Sequence, residues 1–384
     1  MVQVSNAIMQ KNSPETVIAK AIAVAGTDDF GADGWREGLA RMLDAFARIP
    51  LKPEVCTASV DKLVHDPATR LRIEQWYKDH PETDGQVIAG PVFVIGLPRT
   101  GTTATVGMMA LDERFRFMRP WEGSAPLPPP IAGQEDADPR LIAARAAASA
   151  YDKPHVHLFD PDGPEEDLAF LAGLDMHSYH GAYPMPDDYI EWWLNADFTS
   201  FYAYQRRVLK LLQSRRPPNL WLLKSPPHLF RLKEIASAYP EAKFVMTHRD
   251  PVKVIASVSS LHSMLYAERC LPGSIDPLAI GPHHLALWAE GMRRGLAARA
   301  EIGEHRFIDV RNDDVVRQPV QTFERIYAFL GMPVTPELQF NLQEYNSRNA
   351  PGNFGKHAYT PEQYGLTRQA IRSAFGAYIE RFQL

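Results

Sequence analysis

The chain has 384 residues, 45% hydrophobic and 23% charged, with a formal net charge of -5. That balance excludes a disordered chain and gives no global positive field to draw it to nucleic acid or anionic lipid. Two cysteines, Cys56 and Cys270, exclude a disulfide framework and fit a reducing, cytoplasmic setting; no apolar run approaches the roughly 18 residues of a membrane span, and Lys20 interrupts the one N-terminal stretch resembling a signal-peptide core.

Residues 14–80 read as helical. Ser13 and Pro14 open "SPETVIAKAIAVAG" as a cap and first-turn pair. "GWREGLARMLDAFARI" places Trp35, Leu39, Leu43 and Phe46 at helical spacing, and "ATRLRIEQWYKDHP" ends at Pro81. Four short apolar runs follow, at 92–95, 220–223, 243–247 and 306–310, and most lead into helix-like segments, at 102–111, 227–238, 251–265 and 317–330. Strands alternating with helices predict an α/β fold, a parallel sheet flanked by helices. Residues 112–200, rich in Pro, Asp, Tyr and Trp, break the alternation and read as a helical and loop insertion over the active face. Residues 345–366 read as loop, and a last helix runs to about 382. The expected division is a helical region over 1–85 and an α/β domain over 86–384.

The first apolar run ends in "GLPRTGTT", Gly96 to Thr103. The spacing is that of a phosphate-binding P-loop, with Thr102 where the lysine belongs. Such a loop still delivers a strand, a tight turn and a helix N-terminus whose free N–H groups and dipole favour an anion. Gly96 and Gly101 permit the turn. Thr100, Thr102 and Thr103 add hydroxyl donors, and Arg99 adds a planar cation. ATP loops use the missing lysine on the β- and γ-phosphates, and no acidic metal ligand stands at a strand end. The expected ligand is therefore an anion less charged than a triphosphate, bound without a metal.

A second candidate site is "THRDPVKVIAS". Asp250 and Pro251 start a helix after a strand, and Arg249 and Ser257 are placed to close on a second phosphate at the carboxyl edge of the sheet. A third is "WLLKSPPHL", where Lys224 leaves the end of a strand. Taken singly, Arg249 also reads as a surface partner of Asp250, and Lys224 as a solvated side chain.

In this order the three features resemble the PAPS-dependent sulfotransferase family, whose donor is 3′-phosphoadenosine 5′-phosphosulfate. Pro98-Arg99-Thr100-Gly101-Thr102-Thr103 is similar to its 5′-phosphosulfate loop, Arg249 and Ser257 to its 3′-phosphate element, and Lys224-Ser225-Pro226 to its lysine turn. "FIDVRNDDVVRQPVQTFERIYAFLGMP" resembles a further family segment, with Arg311-Asn312-Asp313-Asp314 in place of Tyr-Glu-Asp-Leu. "WEGSAPLPPP", "PEEDLAFL" and "GKHAYTPEQYGL" resemble a bacterial branch that also carries an N-terminal helical region. The resemblance implies a P-loop-like sheet and transfer of a sulfuryl group from PAPS to a hydroxyl or amine, releasing PAP, with no metal required. It implies that Arg99, Lys224 and the loop N–H groups stabilise charge on the transferring group. Arg348 and Lys356, on or near a Gly-containing C-terminal loop, are assigned with Arg249 and Ser257 to the 3′-phosphate.

Two residues are candidates for the base that takes the acceptor's proton. Glu122 in "RPWEGSAP" matches a catalytic Glu of several relatives and is preferred; His228 in "KSPPH" is similar to the base of the cytosolic branch. Glu165-Glu166-Asp167 reads first as a charged helix start and second as an acceptor contact. His155, His157, His177, His180, His283 and His284 lack the companions of a metal site and read as ordinary histidines. The acceptor is left as a small molecule, lipid or glycan, and the oligomeric state is open. The competing readings are a kinase-like phosphotransferase, which requires ATP and Mg²⁺, and a non-catalytic nucleotide-binding module.

Overall fold

The computed structural model describes Met9 and residues 11–150, 160–348 and 359–384. Five strands form one sheet: β1 (Val92–Gly96), β2 (Phe115–Phe117), β3 (Leu220–Lys224), β4 (Lys243–His248) and β5 (Phe307–Arg311). The order is β2-β3-β1-β4-β5, and every neighbouring pair is parallel. Four of the strands are the apolar runs expected. β2 is an addition: its three residues lie inside the segment read as an insertion, too short to show a period, and pairing with Leu220–Leu222 holds them.

The strands are continuously apolar because the sheet is covered on both faces. Phe93 and Ile95 face one core with Trp221, Leu223, Phe244 and Met246, while Val92 and Val94 face another with Leu222, Val245 and Val310. The N-terminal helices, Pro14–Ala25, Arg36–Arg48 and Pro53–Asp79, join the first core through Trp35, Leu39 and Phe46. Ser13 caps the first of them, accepting from the Thr16 N–H at 3.3 Å. Buried Arg70 ties the third to the insertion. It donates to Phe30 O, Ala32 O and Leu174 O, and at 2.7 Å to the Asp175 carboxylate.

Several helices depart from their expected bounds. After β3, Pro226 and Pro227 start a 3₁₀ turn (Pro226–Phe230), and the α-helix follows only at Leu232–Ala238; prolines suit a first turn, where no N–H is needed. The C-terminal loop begins later than expected, because Pro336–Arg348 is helical, and the last helix is two, Arg368–Ala374 and Gly376–Phe382.

The register sets the site. Val94 of central β1 lies beside Lys224, and Gly96 beside Thr247. The "GLPRTGTT" loop therefore leaves the carboxyl edge between Lys224 on one side and Arg249 on the other, which is where open α/β sheets hold their ligands.

Candidate active site

The turn after β1 runs through Gly96 (φ 143°), Arg99 (φ 65°) and Gly101 (φ 92°). A Cβ on Gly96 would stand 2.6 Å from Thr247 O, and one on Gly101 2.3 Å from Asn312 Oδ1, so neither position accepts a side chain. Arg99 holds a left-handed conformation that costs a non-glycine residue about 1–3 kcal/mol. Its Nε donates to Ser257 Oγ at 3.2 Å. The helix Thr102–Met109 then starts with no side-chain cap. Its first intrahelical bond joins Thr105 N to Gly101 O, which leaves the N–H groups of Thr102, Thr103 and Ala104 for an anion.

One expectation for this loop changes. Thr100 is buried, with its hydroxyl 2.6 Å from both Leu97 O and Thr247 Oγ1. That hydroxyl braces the turn and is engaged within the protein.

Arg249 donates to the Arg99 carbonyl at 3.0 Å, so Arg99 links the loop to both Arg249 and Ser257, which the sequence reading placed in a separate element. Neither guanidinium has an ion-pair partner among the described residues. Two unpaired cations beside a free helix N-terminus fit a ligand carrying two separate phosphate groups.

Lys224 is buried at the end of β3. Its Nζ lies 3.5 Å from Thr103 Oγ1, 3.1 Å from Glu166 Oε1 and 3.9 Å from Glu165 Oε1. The other Glu166 oxygen accepts from Ser225 Oγ at 3.3 Å. A single ammonium thus bridges the anion loop and a carboxylate of the insertion. The sequence reading had treated the Glu165-Glu166-Asp167 run as a charged helix start, and Glu166 is indeed the N-cap of the helix Asp167–Leu171. Its pairing with a lysine 58 positions away along the chain is set by the fold.

Both candidate bases are held by buried partners. Glu122 is fully buried. One oxygen accepts from Arg116 Nη2 at 2.6 Å and the other from the Arg119 N–H at 3.0 Å, closing the first turn of the helix Pro120–Ser124. His228 is fully buried too, with Nε2 3.0 Å from Asp167 Oδ2 and Nδ1 2.9 Å from the Tyr202 hydroxyl. Asp167 also accepts the Lys224 N–H at 3.1 Å, so this chain braces the end of β3. In this structure both side chains are bonded into the site's frame. Glu122→Gln is accordingly expected to lower stability by about 3–5 kcal/mol, because it strands a buried Arg116 charge. Urea unfolding of the variant, read beside turnover per folded enzyme, checks this: stability falls and turnover holds.

Arg348 lies exposed on the last turn of its helix, 3.3 Å from Glu344. Lys356 lies outside the described residues, as do His155 and His157. His177 sits 2.6 Å from Asp175 O, and among the described residues no three His, Cys, Asp or Glu converge as metal ligands. No helix among them is long and apolar enough to cross a membrane.

A cavity of about 350 Å³ opens beside the loop. Pro98, Ser225 and Glu166 form its reactive end; Val258, Leu261 and Trp288 form much of its apolar wall. A larger depression, about 790 Å³, is lined by Met185, Ile190, Ile280 and Leu287 and includes none of the loop, Lys224 or Glu166. The smaller one therefore adjoins the chemistry.

An anion loop without a P-loop lysine, a second basic site and a lysine between them define a nucleotide-dependent group-transfer site. Residues 91–336 match the Sulfotransferase family, and the chain belongs to that family. It is an enzyme that transfers a sulfuryl group, and the family's donor is PAPS. The structure of sulfotransferase STF9 from Mycobacterium avium superposes with a TM-score of 0.88 at 28% identity, covering 96% of each chain. That of STF1 from Mycobacterium tuberculosis H37Rv gives 0.81 at 27% identity, over 95% of this chain and 99% of the other. Omega-hydroxy-beta-dihydromenaquinone-9 sulfotransferase Stf3 of Mycobacterium tuberculosis is 25% identical over 300 residues, 76% of this chain and 74% of that protein.

Proposed function

We propose that this enzyme sulfates a hydroxyl group of a lipophilic small molecule held in the 350 Å³ cavity, with Glu166 as the base. The observation that carries the reading is the position of Glu166: among the described residues it is the one carboxylate lining the cavity, and it touches Lys224. The name of the mycobacterial relative specifies a hydroxylated lipid acceptor, which supports an apolar acceptor here.

The donor's phosphosulfate supplies an electrophilic sulfur and a phosphate leaving group. The chain's own residues do the rest. The N–H groups from Thr100 to Thr103, with Arg99 and Lys224, neutralise charge on the transferring group and the leaving phosphate. Arg249 and Ser257 hold the 3′-phosphate, with Arg348 and Lys356 as further cations for it. Glu166 accepts the acceptor's proton, and the apolar wall orients the hydroxyl and excludes water. The helices before residue 85 serve as the scaffold behind the α/β domain, and residues 112–200 form the acceptor-side cover. The two buried thiols, Cys56 and Cys270, fit a reducing compartment such as the cytoplasm.

A combined binding and turnover screen tests the reading. PAP is expected to raise Tm by a few degrees in EDTA, because a ligand that binds only the folded state stabilises it by mass action. With PAPS, phenols, sterols and long-chain alcohols are expected to be sulfated and free sugars not. Stabilisation by ATP–Mg²⁺ but not PAP would overturn the donor assignment, and preferential sulfation of sugars would overturn the acceptor class.

A further inference from the structure

The apolar wall of the acceptor cavity contains an imidazole with no partner. His262, on the helix Pro251–Arg269, lines the cavity and is only 8% exposed. Its Nδ1 is sealed from solvent and bonds to nothing among the described residues. Its ring stacks on His284, with centroids 4.2 Å apart and planes 23° from parallel; both nitrogens of His284 are sealed and unpartnered as well. Burial pushes the His262 imidazole down to about 3, with His283, Arg269 and Arg99 adding to the effect, and burial holds His284 well below its usual range too. Both rings are neutral at working pH, so they stack without repulsion.

A neutral imidazole has one N–H and one lone pair. Nδ1 is sealed, so Nε2 is the nitrogen left to meet the cavity, and the tautomer with its proton on Nε2 offers an N–H there. A buried polar atom without a partner costs about 1–3 kcal/mol, and the sealed Nδ1 carries that cost whether or not a ligand is bound. Among the polar side chains of the lining, which also include Ser178, Tyr179, His180 and Tyr183, His262 shares the helix that gives Val258 and Leu261 to the apolar wall.

We propose that His262 determines acceptor specificity by donating its ring N–H to a second oxygen of the acceptor, so that the enzyme selects lipophilic alcohols and phenols carrying a distal carbonyl, ether or hydroxyl. The proposal rests on the acceptor reading of this cavity. The His284 ring backs His262 and fixes its plane.

The test uses the full chain saturated with PAP and two probes, estrone and deoxyestrone, the latter being the same phenol with the distal carbonyl replaced by a methylene. In wild type, estrone binds about three- to tenfold more tightly, the range of one neutral hydrogen bond. His262→Phe keeps the stacked ring but has no N–H, and it equalises the two probes. His262→Gln restores part of the preference. Without acceptor, His262→Phe raises Tm by about 1–3 °C, because an unpaired buried group is gone. With PAPS, the loss of preference appears in KM, with kcat within about twofold. Equal binding of the two probes by wild type, binding of neither, or a preference that survives in His262→Phe overturns the proposal. A fall in Tm with unchanged probe preference would make the ring purely structural. Binding in the PAP complex needs no base, so a failure of Glu166 as base would show in turnover alone and leave this result standing.

Discussion

Glu166→Gln is expected to cut turnover of a lipophilic alcohol or phenol by about 10²–10⁴-fold, the range for loss of a general base. Glutamine keeps the length and one acceptor oxygen, so Ser225 and Lys224 retain contacts, but the amide takes no proton. The Glu166 side chain is 32% exposed, which suits a group that must meet an incoming hydroxyl. Glu165 is the control. It lies 3.9 Å from Lys224, and its carboxylate accepts the Glu166 N–H at 2.9 Å, so Glu165→Gln is expected to cost less than tenfold. PAP affinity should stay within about threefold of wild type in both, because in the proposed reading the donor's phosphates are held by the loop and Arg249. Steady-state kinetics with calorimetric PAP binding decides the matter. If Glu166→Gln keeps full turnover while Glu122→Gln loses it, the base lies outside the cavity described here, and an opening of the Arg116–Glu122 pair must accompany donor binding.

Much of the fold was legible because parallel strands covered on both faces are plain apolar runs. Val92–Ile95, Leu220–Leu223 and Phe244–Met246 needed no partner information to be recognised. The anion loop was legible for the same local reason: a turn that tolerates no Cβ writes glycine into the sequence, at Gly96 and Gly101. What the sequence hid was pairing at long range. Thr100 looked like a ligand donor, and Leu97 O within the turn and Thr247, 147 positions away, occupy its hydroxyl. His228 followed a familiar lysine, but Asp167 and Tyr202 enclose it. Glu122 resembled a base by position, and Arg116, six residues earlier, neutralises it from the edge strand that no periodicity revealed. Glu166 read first as a charged helix start and only second as an acceptor contact, because acidic residues there need no further reason. Local rules assign each of these side chains a sufficient role, and the register of β1 against β3 decides which of them meet.

The same register yields the second large effect. Lys224→Met is expected to lower kcat by about 10²–10³-fold, comparable to removing one donor from a preorganised charge-stabilising site. The ammonium is 1% exposed and spans Thr103 on the loop helix and Glu166 at the cavity, the places proposed here for donor and acceptor. Methionine keeps the unbranched shape but brings no charge to the transferring group. Lys224→Arg should not rescue, because a planar fork does not occupy the place of a compact ammonium pressed against Thr103. The stability cost is expected to be small, since solvent reaches Glu166 and stabilises its carboxylate once the partner is gone. The decisive measurement is the double variant. If Lys224 and Glu166 act on one transition state, Lys224→Met with Glu166→Gln costs about as much as the worse single change, the non-additivity of residues that work as a unit. Independent roles would multiply the two losses instead, and that result would confine Lys224 to the donor side and require another group to orient the attacking oxygen.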